Sequence, residues 1–402
     1  MKKYIVQQLS KRRMYDVAEI LHEAQMLDCL ITDFYELKSG SLFANFLPNN
    51  FIKTLSKYKN TKIPRELVKE NITAGVNFRL LQKVYQKNFF AYQEGSKMLA
   101  KLSRIEIGKN KANAVYSFDV TALEFFRIAS KRDYYSVLEQ CVAPRKAQIE
   151  MYNLFAEQYG ANYTNEIENC KRLQEREEEE WVLSNKIVAP SDFVVNKLIE
   201  AGCQKDKIVK VNYGFSVGRN ILDQSNFEKK NENEDFTILF VGNSSLRKGL
   251  QDIVKIAERI KNNKIKFRIA GDLENKTVEQ LGIAKTSNIK LLGKLEKDKL
   301  YREYENANAF ILPSYLEGSA MVILEALNFS LPILTTFESG SNIVDGVNGF
   351  VTKAGNINYF VQRINELYDN KDLRLLISNN AILLAKNHST LNYSKDLITE
   401  LI

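Results

Sequence analysis

Two carboxylates eight positions apart, Glu317 and Glu325, carry the most specific chemistry in this 402-residue chain. They lie in Pro313-Ser314-Tyr315-Leu316-Glu317-Gly318-Ser319-Ala320-Met321-Val322-Ile323-Leu324-Glu325-Ala326. The run reads as a buried strand ending at Pro313, a loop carrying Glu317, and a helix starting near Ser319. Small residues at a helix start, here Gly318, Ser319 and Ala320 before Met321, let a diphosphate approach free main-chain N–H groups and the positive end of the helix dipole. Two carboxylates would repel that diphosphate. On a nucleotide site they must therefore aim at hydroxyls, one on a sugar ring and one on a ribose diol, where they accept hydrogen bonds. Glu325 sits among Val322, Ile323, Leu324, Ala326 and Leu327, where a charge is costly without a partner. The competing account is a salt-bridged structural glutamate plus an exposed one at the helix start.

A second segment, Phe240-Val241-Gly242-Asn243-Ser244-Ser245-Leu246-Arg247-Lys248-Gly249, supplies the opposite charge. Gly242 permits a tight turn after a strand, and Lys248 puts a cation at the start of the next helix, where it would offset the charge of a departing diphosphate. The order of residues is not that of a P-loop, and Gly-x-Gly-x-x-Gly is absent. Taken alone, Lys248 is equally an ordinary solvated loop lysine. Gly271, in Ala270-Gly271-Asp272, would permit a third close backbone approach, with a plain strand-to-helix turn as the other account. There is no Asp-x-Asp in the chain. Metal-bridged diphosphate binding is thus unsupported, no metal or separate cofactor is expected, and Lys248 plus a helix N-terminus must do the neutralising. The two histidines, His22 and His388, read as structural.

The elements that must hold these residues are clearest in the C-terminal half. Short β-rich runs, Phe236 to Val241, Lys266 to Ala270, Ile289 to Leu292, Ala309 to Leu312, Pro332 to Thr335 and Gly349 to Thr352, alternate with helical text such as Leu250 to Ile260. That grammar predicts βαβ units and a parallel sheet. The N-terminal half repeats it with Tyr4 to Val6, Leu30 to Thr32, Ala114 to Phe118, Val137 to Cys141, Ile187 to Ala189 and Ile208 to Val211, and a helix over Tyr15 to Met26. Residues 40–110 read as a basic, aromatic-rich helical insertion, and Asn226 to Asp235 as a charged linker. Glu175 to Glu180 reads as a solvated helix face. The expected fold is α/β, two Rossmann-like doubly wound domains facing a central cleft: residues 1–214, a linker over 215–235, residues 236–388, and a segment 389–402 crossing back. Ligands of such sheets bind beyond the carboxyl ends of the strands.

Composition narrows the partners. The net charge is +8, yet residues 1–110 hold 19 basic and 10 acidic side chains, so the surplus lies in the first quarter. It points to an anion: nucleic acid, a membrane surface or a phosphorylated substrate. No nucleic-acid motif is present, so a membrane or lipid-linked partner is favoured over nucleic acid, with lysines merely solvating packed helices as the bland alternative. Four cysteines, Cys29, Cys141, Cys170 and Cys203, lack short spacings and fit a reduced, cytoplasmic protein. The first residues lose their apolar run too early for a signal peptide, and no run reaches the length of a membrane span.

Jointly, the Gly…Lys-Gly segment, Pro-Ser-x-x-Glu-Gly-x-x-x-x-x-x-Glu-Ala, Leu331-Pro332 and Asp345-Gly346-Val347-Asn348-Gly349-Phe350 resemble the retaining family 4 glycosyltransferases of the GT-B fold, over roughly residues 180–370. The resemblance implies that Glu317 contacts a donor sugar, Glu325 the ribose and Lys248 the diphosphate, with Gly242, Asn243, Arg247, Gly271 and Gly318 to Met321 around the donor. Its phosphate-loop Arg is replaced by Asn243 or Ser244, with Arg247 nearby, and Ser330 stands where glycine is usual. The first-domain Gly-Gly loop and the His near the reacting sugar are missing. Tyr116-Ser117-Phe118-Asp119 stands where the His is expected, which makes Ser117 and Asp119 the acceptor-side candidates. The expected activity is retaining transfer of a sugar from a nucleotide-diphosphate donor to a glycan or lipid-linked acceptor, in surface polysaccharide or glycolipid synthesis. A silent nucleotide- or membrane-binding protein and a glycosidase using Glu317 and Glu325 are the alternatives.

Overall fold

The computed structural model describes residues 2–35, 60, 62–84, 89–109, 111–160, 162–216, 235–243, 246–273 and 275–402. Two parallel sheets carry the chain. The first has seven strands in the order β3-β2-β1-β4-β5-β6-β7. They are β1 (Tyr4–Gln8), β2 (Leu27–Thr32), β3 (Val68–Glu70), β4 (Ala114–Phe118), β5 (Tyr135–Glu139), β6 (Lys186–Ala189) and β7 (Ile208–Lys210). The second has six in the order β10-β9-β8-β11-β12-β13: β8 (Phe236–Val241), β9 (Ile265–Ala270), β10 (Ile289–Gly293), β11 (Ala309–Leu312), β12 (Ile333–Thr336) and β13 (Gly349–Thr352). Central strands β1, β4 and β11 are buried at every position, as parallel strands covered on both faces must be.

Both strand orders turn back beside their first strand, so each sheet has a switch point where two connections leave in opposite directions: β1/β4 in the first and β8/β11 in the second. A crevice opens there beyond the strand carboxyl ends. The loops after β8 and β11 are those carrying Lys248 and Glu317. The helix Leu250–Arg259, which starts two residues after Lys248, buries Leu250, Ile253, Val254, Ile256 and Ala257 and leaves Lys255 and Glu258 in water. Its apolar stripe fixes the rotation of the loop before it.

Two expectations change. Within residues 40–110, the described part supplies the edge strand β3 and two helices, Ile72–Val84 and Phe89–Gly108, that pack on each other. The longer helix lies on β1 and β2 and buries Ala91, Gly95, Leu99, Ala100 and Ile107. It is the β3-to-β4 crossover of a doubly wound sheet rather than an appended insertion. Residues 40–59, Tyr85, and 217–234 of the linker lie outside the described residues. The charge run is the second change. Glu175 and Glu178 are exposed, but Arg176, Glu177 and Glu180 are buried on the same helix, Thr164–Leu183. Arg176 pairs with Glu124 at 2.7 Å, Glu177 accepts from Arg145 N at 2.8 Å, and Glu180 accepts from Leu123 N at 2.9 Å. The two glutamates satisfy N–H groups at the starts of neighbouring helices, which otherwise lack partners.

The domains meet through an apolar cluster in which Ala143, Ala147, Met151, Phe155 and Phe193 receive Leu316 of the second domain. The Phe155 and Tyr315 rings meet edge-on at 5.0 Å. The last helix, Thr390–Leu401, returns to the first domain: Tyr4 donates to the Leu401 carbonyl at 2.8 Å and Lys186 pairs with Glu400 at 2.9 Å.

Candidate functional site

Glu317 stands between two cations from the β8 loop. Arg247 Nη1 lies 2.8 Å from Glu317 Oε1 and Lys248 Nζ 3.5 Å from the same oxygen. Arg247 Nη1 also donates to the Leu316 carbonyl at 2.6 Å. Arg247 Nη1 thereby pins the loop that carries Glu317. Lys248 is held differently. Its stem lies so close over Gly242 that a Cβ there would meet Lys248 Cδ at 2.7 Å, which explains the glycine after β8. Gly271 backs onto the Gly242 carbonyl, where a side chain would meet oxygen at 1.7 Å. Asn243 is exposed at the rim, and Ser244 lies outside the described residues.

Glu325 lies on the helix Met321–Asn328, half-buried, and accepts from the Tyr304 hydroxyl at 3.0 Å. Burial pushes its carboxyl up, while Tyr304, Lys297 and Lys248 pull it the other way. One oxygen is occupied by Tyr304; the group keeps further lone pairs for a diol. At the helix start the main chain is less free than its sequence implies. Ala320 N donates to the Ser339 carbonyl at 3.1 Å and Glu317 N to Glu338 at 2.9 Å, so neither can meet a phosphate. Ser319 and Met321 remain half-buried at that helix start.

Gly318 owes its type to the other domain. A Cβ there would come within 1.8 Å of the Cys141 carbonyl, and the Ser191 hydroxyl donates to the Gly318 carbonyl at 2.5 Å. The donor loop and the ends of β5 and β6 are therefore in direct contact.

On the first-domain side, Ser117 is corrected. It is fully buried in β4 and donates to the Gln7 carbonyl of β1 at 3.0 Å, so it faces the sheet interior rather than the cleft. Asp119, just past β4, is buried between Arg12 at 2.8 Å and Arg145 at 3.2 Å. Burial opposes its charge, but the two guanidiniums outweigh burial and hold the carboxyl below the ordinary aspartate range. With both oxygens engaged, Asp119 positions the arginines. His388 bonds Asn342 at 2.9 Å at the domain crossing, and His22 lies on the helix Asp16–Glu23. Arg12, Arg145, Cys141 and Tyr304 had no motif to mark them; the run Lys11-Arg12-Arg13 directly after β1 is the one available signal.

Residues 223–383 match the family model of glycosyl transferases group 1. The capsular polysaccharide biosynthesis glycosyltransferase CapM of Staphylococcus aureus is 27% identical over 210 residues, covering 48% of this chain and 55% of CapM. An uncharacterized glycosyltransferase of Methanocaldococcus jannaschii is 28% identical over 210 residues, 51% and 56% of the two chains. The chain thus spans about half the length of the curated relatives it matches. Anabaena HepE, solved in complex with UDP-glucose, superposes over 100% of this chain and 99% of its own, with TM-score 0.64 and 14% identity. These likenesses and the two facing sheets establish the GT-B fold.

Proposed function

We propose that this chain, whose residues 223–383 match the model of glycosyl transferases group 1, transfers a sugar from a nucleotide-diphosphate donor with retention of configuration. The acceptor is a glycan or a lipid-linked sugar in surface polysaccharide or glycolipid synthesis. The observation that carries the reading is Glu317: a largely buried carboxylate on the loop after β11, held beside Arg247 and Lys248 of the loop after β8. A donor sugar there would offer hydroxyls to the lone pairs the carboxylate keeps. CapM's role in capsule synthesis and the UDP-glucose held by HepE support the same reading.

Lys248 turns from Glu317 toward the leaving diphosphate and, with the helix start at Ser319 and Met321, offsets the charge that builds as the glycosidic bond breaks. No metal takes part in this account. Glu325 accepts from the ribose. The acceptor hydroxyl attacks on the face the diphosphate leaves and gives its proton to the departing diphosphate, which retains the configuration. The contact between Gly318 and Cys141 closes the cleft against water, which otherwise hydrolyses the donor.

The reading places the protein at the cytoplasmic membrane surface as a peripheral protein. No helix among the described residues is long and apolar enough to cross a membrane. The helix Phe89–Gly108 exposes Phe90, Lys97, Lys101, Arg104 and Ile105 along one side, where Glu94 pairs with Lys97 at 2.8 Å and leaves Lys101 and Arg104 for anionic lipid. Sedimentation with anionic vesicles at low salt tests this, and no sedimentation rejects it.

The donor is tested by titrating UDP-, GDP-, ADP- and CMP-sugars into wild type and Glu325→Ala, following binding and slow donor hydrolysis. At least one donor should bind wild type and lose about 10-fold or more in affinity with the variant. Binding by none, or an unaffected variant, rejects the site.

A further inference from the structure

We infer that Arg12 and Arg145 form an anion-binding site on the first-domain wall of the cleft, and that the acceptor presents a phosphate or carboxylate to it. This rests on the transferase reading above. Both guanidiniums share one carboxylate, Asp119. Among the described residues Asp119 is the one carboxylate within ion-pair distance of either, and Glu177 pulls on Arg145 from farther off. Glu177, the nearest candidate, spends its oxygens on Gln140 Nε2 at 2.7 Å and the Arg145 main-chain N at 2.8 Å. Arg145 Nε is buried and has no acceptor. Buried donors are ordinarily satisfied, and an exception calls for a ligand or a structural reason.

The backbone around Arg12 points the same way. Ser10, Arg13, Met14 and Tyr15 have φ of 70°, 46°, 56° and 65°, left-handed values that side chains other than glycine adopt at a cost. Such strain persists only where the surroundings over-determine it. Here they do: Gln8 Nε2 donates to the carbonyls of Ser10 at 3.0 Å and Arg12 at 2.8 Å, and Ser10 N donates to Asp33 at 2.8 Å. The Arg13 guanidinium pairs with Asp16 at 2.6 Å and lies 3.7 Å from the Tyr213 ring centre. Those contacts fix the direction of Arg12, whose side chain keeps a quarter of its surface exposed. An ordinary surface ion pair requires no such frame.

The location completes the case. Arg12 Nη1 is 3.1 Å from the Cys141 sulfur, while Gly318 abuts the Cys141 carbonyl. Cation pair and donor loop thus share one neighbour, and an anion on Arg12 lies beside the loop of Glu317, where the acceptor enters. Paired guanidiniums suit the two-oxygen geometry of phosphate and carboxylate.

The test titrates inorganic phosphate and, separately, glucuronate into the full chain saturated with UDP, comparing wild type with Arg12→Gln, Arg145→Gln and Arg12→Lys by calorimetry. Wild type should bind at least one anion. Both glutamine variants should bind it at least ~10-fold more weakly while UDP affinity stays within about twofold. Arg12→Lys keeps the ion pair with Asp119 and should also lose affinity, so a folding defect in the glutamine variants leaves the test intact. Preference for phosphate or for glucuronate identifies which group the acceptor bears. No anion binding by UDP-saturated wild type overturns the inference, as do variants that bind the anion normally or lose UDP in parallel. Failure of wild type to bind UDP or any nucleotide sugar instead rejects the transferase reading, and the anion titration without UDP still reads Arg12.

Discussion

The Ser191 hydroxyl donates to the Gly318 carbonyl at 2.5 Å while accepting from Val194 N at 3.3 Å, so one side chain both starts a first-domain helix and holds the second-domain donor loop. The helix Asp192–Glu200 is capped by Ser191, and through that residue it sets how close the Glu317 loop comes to the first domain.

Gly318→Ala should therefore separate the domains without unfolding either. A methyl group would meet main chain at Cys141, which cannot rotate away. We expect kcat to fall by about 10-fold or more, because misplacement of about 1 Å costs that much or more in rate. Nucleotide affinity should change little, since Glu325 and Lys248 belong to one domain. Ser191→Ala loses a cap worth ~1 kcal/mol as well as the bridge. Turnover and nucleotide titration of both variants decide it; a fully active Gly318→Ala shows that closure at Cys141 is dispensable.

Lys248 and Arg247 should separate in kinetics. Lys248 is the cation placed for the leaving group, and its loss should lower kcat by about 10²-fold. Arg247 Nη1 holds the Leu316 carbonyl and Glu317, so Arg247→Ala should loosen the loop and raise the donor KM more than it lowers kcat. Equal effects on both constants from both variants would mean the division of labour is wrong.

Glu325 makes donor binding pH-dependent. The ribose diol donates to the carboxylate, and a proton on Glu325 removes an acceptor. Burial raises the carboxyl, so affinity should begin to fall on acidification at a higher pH than an ordinary glutamate sets. Donor binding favours the ionised form and thus releases protons in that window. Glu325→Gln should bind more weakly and lose this pH dependence. A wild-type affinity flat across the window removes Glu325 from the ribose site.

Legibility in the sequence followed how local each cause was. β8 and β11 begin and end where their apolar runs do, since buried parallel strands are bounded by turn residues. Glu317, Lys248 and Gly242 fall together because each closes a strand of one sheet. Edge strand β3 has three residues and no apolar run to reveal it. Arg12 and Asp119 are 107 positions apart, and nothing in either neighbourhood marks the pair. The helix Thr164–Leu183 is the instructive case. It buries Leu173, Arg176, Glu177, Glu180 and Trp181, the i, i+3, i+4, i+7, i+8 spacing of a core-facing stripe. The period is regular, but three of its members are charged. Their partners, Glu124 and two helix starts, are distant in the chain.

Glu180 gives that stripe a measurable consequence. Its carboxyl accepts from Val120 N at 2.7 Å and from Ala122 N and Leu123 N at 2.9 Å. Glu180→Ala orphans these donors and should cost about 3 kcal/mol or more in denaturant unfolding. Burial pushes the group up to about 8, against the pull of Arg176 and the Val120 N–H. In the unfolded chain it ionises near the ordinary value of about 4.3. Between those values the folded state holds a proton that the unfolded state has released, so stability is highest below about pH 4 and declines as pH rises toward 8. Glu180→Gln cannot titrate. The stability of wild type minus that of Glu180→Gln should therefore fall by a few kcal/mol between about pH 5 and 8. A difference that stays level or grows with pH would show that the three N–H donors outweigh burial and keep Glu180 ionised, in which case the charge itself anchors the start of the helix Leu123–Ala129.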